Sequence, residues 1–444
     1  MKKKIKVSVI GLGYVGIPMI VAILMSKKSE FEVVGIERND SQGMKIISKL
    51  NNGKIPFKTN DKNLIYNFTK FSNSNLLTFS NDIKKISSSK IIIVSVGYDF
   101  TSTNNIKNLK NLFAQICKYK QENSTIIIES TLPPGTCENV LTKIMFSFLN
   151  DNKEDLRLAY SFERVTPGKY HLNSVINNYR VYSGINKISK KNCKDFFSKI
   201  INTKDFPLTE LETITECEMT KIIENSYRSL NIAFIDEWTK FALKNNLNLN
   251  SVIDSIKKRN THQNIMRPGL GVGGYCLTKD SLLMKHSNKI LKQKNLFPLS
   301  FLAVKINRNS IKNSINFIKK NYLKSLQNKK VLILGLTYKE NVDDFRNSPS
   351  LEFINKIKKH NCKIVVSDIF VKTKNFKNKF ECISNPKFDK FDLVIFNVGH
   401  SRYKKYLLRD FNKKTFFFDL NFIFSNKKIE LLKKNKIKIY QLGT

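Results

Sequence analysis

"KVSVIGLGYVGIPMIVAILMSKKSEFEVVGIER", residues 6–38, decides the fold of this chain. Its nineteen consecutive uncharged residues, 7–25, could pass for the apolar part of a signal peptide or for a membrane span. The glycines argue otherwise. Gly11, Gly13 and Gly16 keep GxGxxG spacing between a β-type run, KIKVSVI, and a helix-compatible run, IPMIVAILMSKK. A second short buried strand, FEVVGIER, then brings Glu37 to its end, twenty-one residues after Gly16. Strand, glycine turn, helix, strand and acid make a dinucleotide-binding βαβ unit. The glycines admit the pyrophosphate to the helix N-terminus and the acid holds the ribose hydroxyls. Gly11, Gly13, Tyr14, Val15, Gly16 and Glu37 are therefore the expected cofactor contacts. An acid at position 37 favours NAD over NADP, with Arg38 beside it as the one feature pulling the other way.

The alternation continues outward. KIIIVSVG (90–97) and STIIIEST (124–131) read as buried parallel strands, each leading through a loop into a helical pattern. The first loop is SVGYDF (95–100). The second, STLPPGT, is stiffened by two prolines and turned by Gly135, and it lies at a strand's carboxyl end, where ligands bind in such sheets. LRLAYSFERVTPG (156–168) adds a strand ending in Glu163 and Arg164. From 208 to 247 no Gly or Pro interrupts the chain, which predicts a long helix or helix pair buried on more than one side, a spine and a possible dimer surface. Lys221 and Asn225 share a face of it, four residues apart. Beyond 325 a second alternating unit begins, with strands expected at 330–335, 362–368, 391–399 and 415–420 and a helix from about Pro349. No internal sequence repeat is visible. The fold class is α/β, two Rossmann-like doubly wound domains joined by a long central helical region. The expected boundaries are 1–205 for the NAD-binding domain, 206–320 for the central helical substrate and dimerisation domain, and 321–444 for the C-terminal domain.

A chain of 444 residues with 41% apolar residues is long enough for two or three cores. Its net charge of +41 would suggest nucleic acid or a membrane surface, but only 11 of the 77 basic residues are arginine. Lysine scattered among Asn and Ile is compositional drift, and no nucleic-acid-binding motif accompanies it. Seven cysteines stand far apart with no CxxC pair, and five histidines show no ligand spacing. A disulfide framework and a metal site are both excluded as expectations, and the pattern suits a reducing cytoplasm.

One cysteine differs from the rest. GVGGYCLTKD (271–280) sets Cys276 after three glycines and before Lys279 and Asp280. A core cysteine has apolar neighbours, whereas this setting suits either a reactive thiolate or a small hydrophobe in a helix-start turn.

Six motifs in order, GLGYVG, STLPPGT, ERVTPG, EMTKIIENSYRSLNIAF, PGLGVGGYCLTKD and GLTYKENVDDFRNSP, resemble the UDP-sugar 6-dehydrogenases over nearly the whole chain. That family oxidises the primary alcohol of a nucleotide sugar to a carboxylate with two NAD. The resemblance implies that Cys276 is the nucleophile, forming a thiohemiacetal and then a thioester, with Lys279 and the glycine amides lowering its pKa. It implies that Lys221 and Asn225 stabilise the reacting oxygen. Asp280 would hold water and Lys221 for proton transfer, and Glu163 would act through water in thioester hydrolysis with Thr131 nearby. Lys279 and Arg346 match NAD contacts, as do Thr131 and, in the loop SVGYDF, Ser95 and Val96. Substrate contacts fall on Glu163, Arg164, Lys221, Asn225, Arg259, Arg267, Pro268, Gly269, Gly271, Gly273 and Lys339, the last at a UDP-binding position. His262 and Asn264 would join Arg259 at an acetyl group, or the three form a solvated turn. The family is a cytoplasmic homodimer of surface polysaccharide synthesis, without membrane insertion.

One departure bears on the substrate. The branch with PERVxPG handles UDP-N-acetylhexosamines, and this chain keeps ERVTPG but carries Phe162 where that branch has proline. The resemblance therefore implies a UDP-N-acetylhexosamine 6-dehydrogenase. A UDP-glucose enzyme, a simple two-electron 3-hydroxyacid dehydrogenase and a catalytically silent nucleotide-binding protein on the same fold are the alternatives.

Overall fold

Each of the two sheets in this computed structural model is built on the order of a doubly wound nucleotide-binding fold. The structure describes residues 4–98, 103–148, 156–294, 296–322, 325–371 and 380–444. Asp99 and Phe100 of the expected cofactor loop lie outside them. The chain divides into two compact units, Met1–Glu224 with Leu282–Leu296, and Asn225–Ser281 with Phe297–Thr444.

The first unit holds β1 (Ile5–Ile10), β2 (Phe31–Ile36), β3 (Leu77–Ser80), β4 (Ile91–Val94), β5 (Thr125–Ile128), β6 (Leu158–Tyr160), β7 (Arg180–Gly184) and β8 (Leu208–Glu210), in the order β3-β2-β1-β4-β5-β6-β7-β8. All neighbours pair in parallel except β6 and β7. Ile91–Val94 and Thr125–Ile128 are buried throughout, as a sheet covered on both faces requires. The apolar N-terminal stretch resolves into β1 and a helix of nine residues, Gly16–Leu24. Among the described residues no helix is long and apolar enough to cross a membrane.

The second unit repeats the plan. β9 (Lys330–Leu334), β10 (Lys363–Ser367), β11 (Glu381–Cys382), β12 (Leu393–Phe396), β13 (Phe416–Asp419) and β14 (Lys438–Gln441) take the order β11-β10-β9-β12-β13-β14, all parallel. The repetition reaches the turns. Gly11 has φ +97° and Gly335 φ +98°, the left-handed region that glycine enters without penalty. The amide after each, Leu12 and Leu336, donates to the acid closing the second strand, Glu37 at 2.9 Å and Asp368 at 2.6 Å. The likeness is one of backbone geometry.

One expectation about the uninterrupted stretch needs correction. Residues 208–210 are a strand, because their backbone completes the sheet against β7, and the helix proper is a single element, Ile214–Asn245, of 32 residues. On that helix Tyr227, Phe234, Trp238 and Phe241 are each about half exposed and recur on one face.

Candidate functional site

In the first unit the glycine turn is shaped for close approach. A Cβ on Gly16 would lie 1.9 Å from the Gly11 carbonyl oxygen, and one on Gly11 would lie 2.9 Å from the Ser95 carbonyl oxygen. Gly13 is exposed, with nothing within 4 Å of where its Cβ would be. A side chain would fill that opening, and its absence lets a pyrophosphate meet the backbone. Glu37 is half-buried, its carboxylate oriented by the Leu12 and Arg38 amides at 2.9 and 3.1 Å. Arg38 is turned to Asp40 and Gln42. An acid at the ribose position with its neighbouring cation already engaged fits NAD. Tyr14 stacks on Phe57, with ring centroids 4.2 Å apart, and its carbonyl meets Nε2 of buried His171 at 2.7 Å. Val15 sits at the start of the helix and Val96 is half-buried beside Ser95.

Beneath this edge lies a pair that sequence reading missed. Ser95 donates to Glu129 at 2.8 Å, and Glu129 is ion-paired with Arg180, both nearly fully buried. Burial pushes the Glu129 carboxyl up, opposed by Arg180 and Ser95. The Arg180 guanidinium also lies 4.4 Å from the Phe197 ring centroid.

The STLPPGT loop is held by a second missed carboxylate. Glu218, fully buried on the long helix, accepts the Gly135 amide at 2.6 Å and the Cys137 amide at 3.0 Å. Burial pushes it up to about 8 despite those donors. This anchors the loop bearing half-buried Thr131 one turn before Lys221. The Lys221 ammonium donates to the Glu163 backbone carbonyl at 2.7 Å and lies 3.6 Å from the Glu163 carboxylate. Glu163 also accepts the Val165 amide. Arg164 pairs with Glu224 and donates to the Tyr179 carbonyl.

In the second unit Cys276 opens a helical turn, Cys276–Lys279, that continues through Asp280–Leu283. The glycines before it are forced by contact: a Cβ on Gly273 would meet Pro349 at 2.5 Å, and Gly274 has φ +79°. Cys276 is exposed, whereas Cys117, Cys137, Cys193, Cys217 and Cys362 are buried and Cys382 is intermediate. Burial pushes the Cys117 and Cys217 thiols up to about 12, which makes them inert at neutral pH. Buried Asp280 takes the Lys279 ammonium at 3.0 Å and the Asn225 carboxamide at 2.7 Å. The same ammonium lies 4.3 Å from the Tyr275 ring centroid.

The loop RPGLGVGG borders a cleft of about 260 Å³ lined by Leu270, Gly271, Tyr338, Lys339, Asn397 and Asn421, among others. It opens at the ends of β9 and β12, where strand order reverses and such folds take their ligands. Burial lowers the half-buried Lys339 ammonium, with nearby Arg228 adding to the effect. Asn397, fully buried, has neither carboxamide atom hydrogen-bonded. Gly269 and Leu270 pack on Asn421, Pro268 on Gly443, and Arg267 on Asp254 and the Phe422 ring. Arg346 is turned onto Asp344 at 2.6 Å. Arg259, His262 and Asn264 lie exposed on a turn tied to the long helix by Asn264 to Tyr227, at 2.7 Å.

Asp368, the counterpart of Glu37, is sealed instead. Burial would raise its carboxyl, but His400 at 3.3 Å and the Leu336 and Phe370 amides bring it below the ordinary range. Of the two acids only Glu37 has a face left for a ribose.

Comparison with known proteins accounts for both sheets. Models of the UDP-glucose/GDP-mannose dehydrogenase family match residues 5–201 as its NAD binding domain, 215–309 as its central domain and 332–426 as its UDP binding domain. A UDP-N-acetyl-D-mannosamine dehydrogenase of Methanocaldococcus jannaschii is 28% identical, covering 99% of this chain and 96% of the relative. A UDP-N-acetyl-D-glucosamine 6-dehydrogenase of Salmonella typhi is also 28% identical, covering 95% and 96%. The solved UDP-N-acetyl-mannosamine dehydrogenase of Staphylococcus aureus superposes with a TM-score of 0.78 at 25% identity, covering 99% and 98%.

Proposed function

The chain belongs to the UDP-glucose/GDP-mannose dehydrogenase family of NAD-dependent nucleotide-sugar dehydrogenases, and from that premise we propose that it oxidises the C6 alcohol of a UDP-N-acetylhexosamine to the carboxylate. Support for the N-acetylated sugar comes from the ERVTPG motif and from relatives named for UDP-N-acetylmannosamine and UDP-N-acetylglucosamine. The observation that carries the chemistry is the exposure of Cys276 alone among seven cysteines, on a turn that glycine contacts hold in place.

The overall change is alcohol plus water plus two NAD to carboxylate plus two NADH and three protons. NAD, when bound, accepts the hydride in each of two oxidations. Glu37 holds its ribose and the Gly11–Gly16 turn its pyrophosphate. Lys221, with its ammonium backed by Glu163, opposes negative charge on the reacting oxygen. Asn225 donates one carboxamide N–H to Asp280 and keeps a second for that oxygen. Asp280 holds the water that takes the alcohol's proton in the first oxidation. The Cys276 thiolate adds to the aldehyde carbon and retains it as a thiohemiacetal, which the second oxidation converts to a thioester. Glu163 draws a proton from water, whose oxygen displaces the sulfur to release the carboxylate. Lys339 and the RPGLGVGG loop bind the UDP. The functional division is 1–205, 206–320 and 321–444, with the exposed aromatic face of the long helix covered by a second copy in a cytoplasmic homodimer.

A panel of UDP-glucose, UDP-GlcNAc, UDP-GalNAc and UDP-ManNAc with NAD tests the reading by NADH absorbance. Two NADH for each N-acetylated sugar are expected. One NADH would indicate a simple dehydrogenase, turnover of UDP-glucose alone would replace the substrate, and none would leave a silent nucleotide-binding protein.

A further inference from the structure

Phe162 stands where the resemblance leads one to expect proline, and it is only 1% exposed. It directly precedes Glu163, two residues past the end of β6. The Lys221 ammonium lies over its ring, 5.2 Å from the centroid, and the Arg164 guanidinium lies 5.0 Å from the same centroid. Both distances fall within the reach of a cation–π attraction, in which the negative face of the ring replaces part of the water a cation has lost. Lys221 has lost most of its water: its side chain is 9% exposed. Around the ammonium stand the Glu163 carbonyl at 2.7 Å, the Glu163 carboxylate at 3.6 Å and this ring. The carbonyl and carboxylate pull from one residue. The ring adds a wide surface that resists the tilting a flexible four-carbon stem would allow.

We propose that Phe162 is a positioning residue whose π face holds the Lys221 ammonium in place for the reacting oxygen, a duty that proline at this position could not perform. The proposal rests on the reading of Lys221 as the cation that opposes charge on that oxygen. Phe162 itself touches neither substrate nor cofactor in this account. Its effect therefore belongs to kcat, and KM for the sugar should hardly change.

Ordinary replacements would confuse lost packing with lost electrostatics, since the ring is buried. Phenylalanine carrying one, two or three fluorines, introduced at position 162 of the full chain, avoids this. Fluorine withdraws density from the ring face while changing its volume little. The expected result is a stepwise fall in kcat with each fluorine, on the order of tenfold across the series, with KM nearly constant. A flat series would show that the ring serves packing only and would overturn the proposal. The series is then repeated with Arg164→Leu. Persistence of the slope ties the ring to Lys221, and its disappearance would assign the ring to Arg164 and equally overturn the proposal. Lys221→Ala is the separate control on the underlying reading: native turnover in that variant removes the role of Lys221, whatever the fluorine series shows.

Discussion

Glu218→Gln tests how the STLPPGT loop is held. Burial pushes the Glu218 carboxyl up to about 8 from 4.5, against the Gly135 and Cys137 amides that favour its charge. Between these values the folded chain keeps a proton that the unfolded chain has released, so stability falls as pH rises through the window. The slope approaches about 1.4 kcal/mol per pH unit. Integrated for this group alone, the loss is about 2.5 kcal/mol between pH 5 and 7 and about 3.5 kcal/mol between pH 5 and 8. Glutamine in its place has no proton to release. At pH 5 the variant should be no more stable than the native chain, because its NH2 group must face one of the two amide donors. As pH rises the native chain alone weakens. The difference in melting temperature should therefore move in favour of the variant by about 2–3 °C between pH 5 and 7, at about 1 °C per kcal/mol for a chain of this length. The assay is thermal unfolding of both proteins across pH 5–9, and the difference cancels the other titrating groups. A difference that stays constant with pH would refute the argument that Glu218 is buried as a neutral acid against this loop.

Three further outcomes follow from particular contacts. Gly16→Ala places a methyl group on the Gly11 carbonyl, 1.9 Å away, and should abolish NAD binding by calorimetry while leaving UDP binding intact. Arg180→Met leaves Glu129 buried without its cation and should cost about 3–5 kcal/mol in chemical denaturation, whereas Arg180→Met with Glu129→Leu should recover much of that loss. Asn397→Leu removes a buried carboxamide with no partner in the protein, so stability should hold or rise while UDP binding weakens; loss of stability with unchanged binding would show that the amide serves the fold.

The parts of this protein legible from sequence are those forced by local geometry. Gly11 and Gly16 announce themselves because a side chain at either would strike backbone. Gly273 and Gly274, crowded by Pro349 and Tyr338, mark the turn before Cys276 for the same reason. The illegible parts depend on partners far along the chain. Glu218 looks like any solvated helix carboxylate, yet its hydrogen-bond partners lie 83 and 81 residues away. Glu129 meets Arg180 across 51 residues and His400 meets Asp368 across 32. Residues 208–210 read as helix because nothing in them breaks one; pairing with β7 overrode that preference. Phe162 was visible only as a departure from proline; that the Lys221 and Arg164 cations lie over its ring could not be read from that departure.

The central claim is a covalent tether at Cys276, and it is tested most directly by peptide mass mapping after acid quench. Glu163→Gln, in which release by water is slowed, would be mixed with NAD and the UDP-sugar that turns over, quenched within the first turnovers and digested. The account predicts the oxidised sugar joined to the peptide containing Cys276. Two NADH formed per sugar with no sugar on that peptide, or with the sugar joined to another residue, would contradict it.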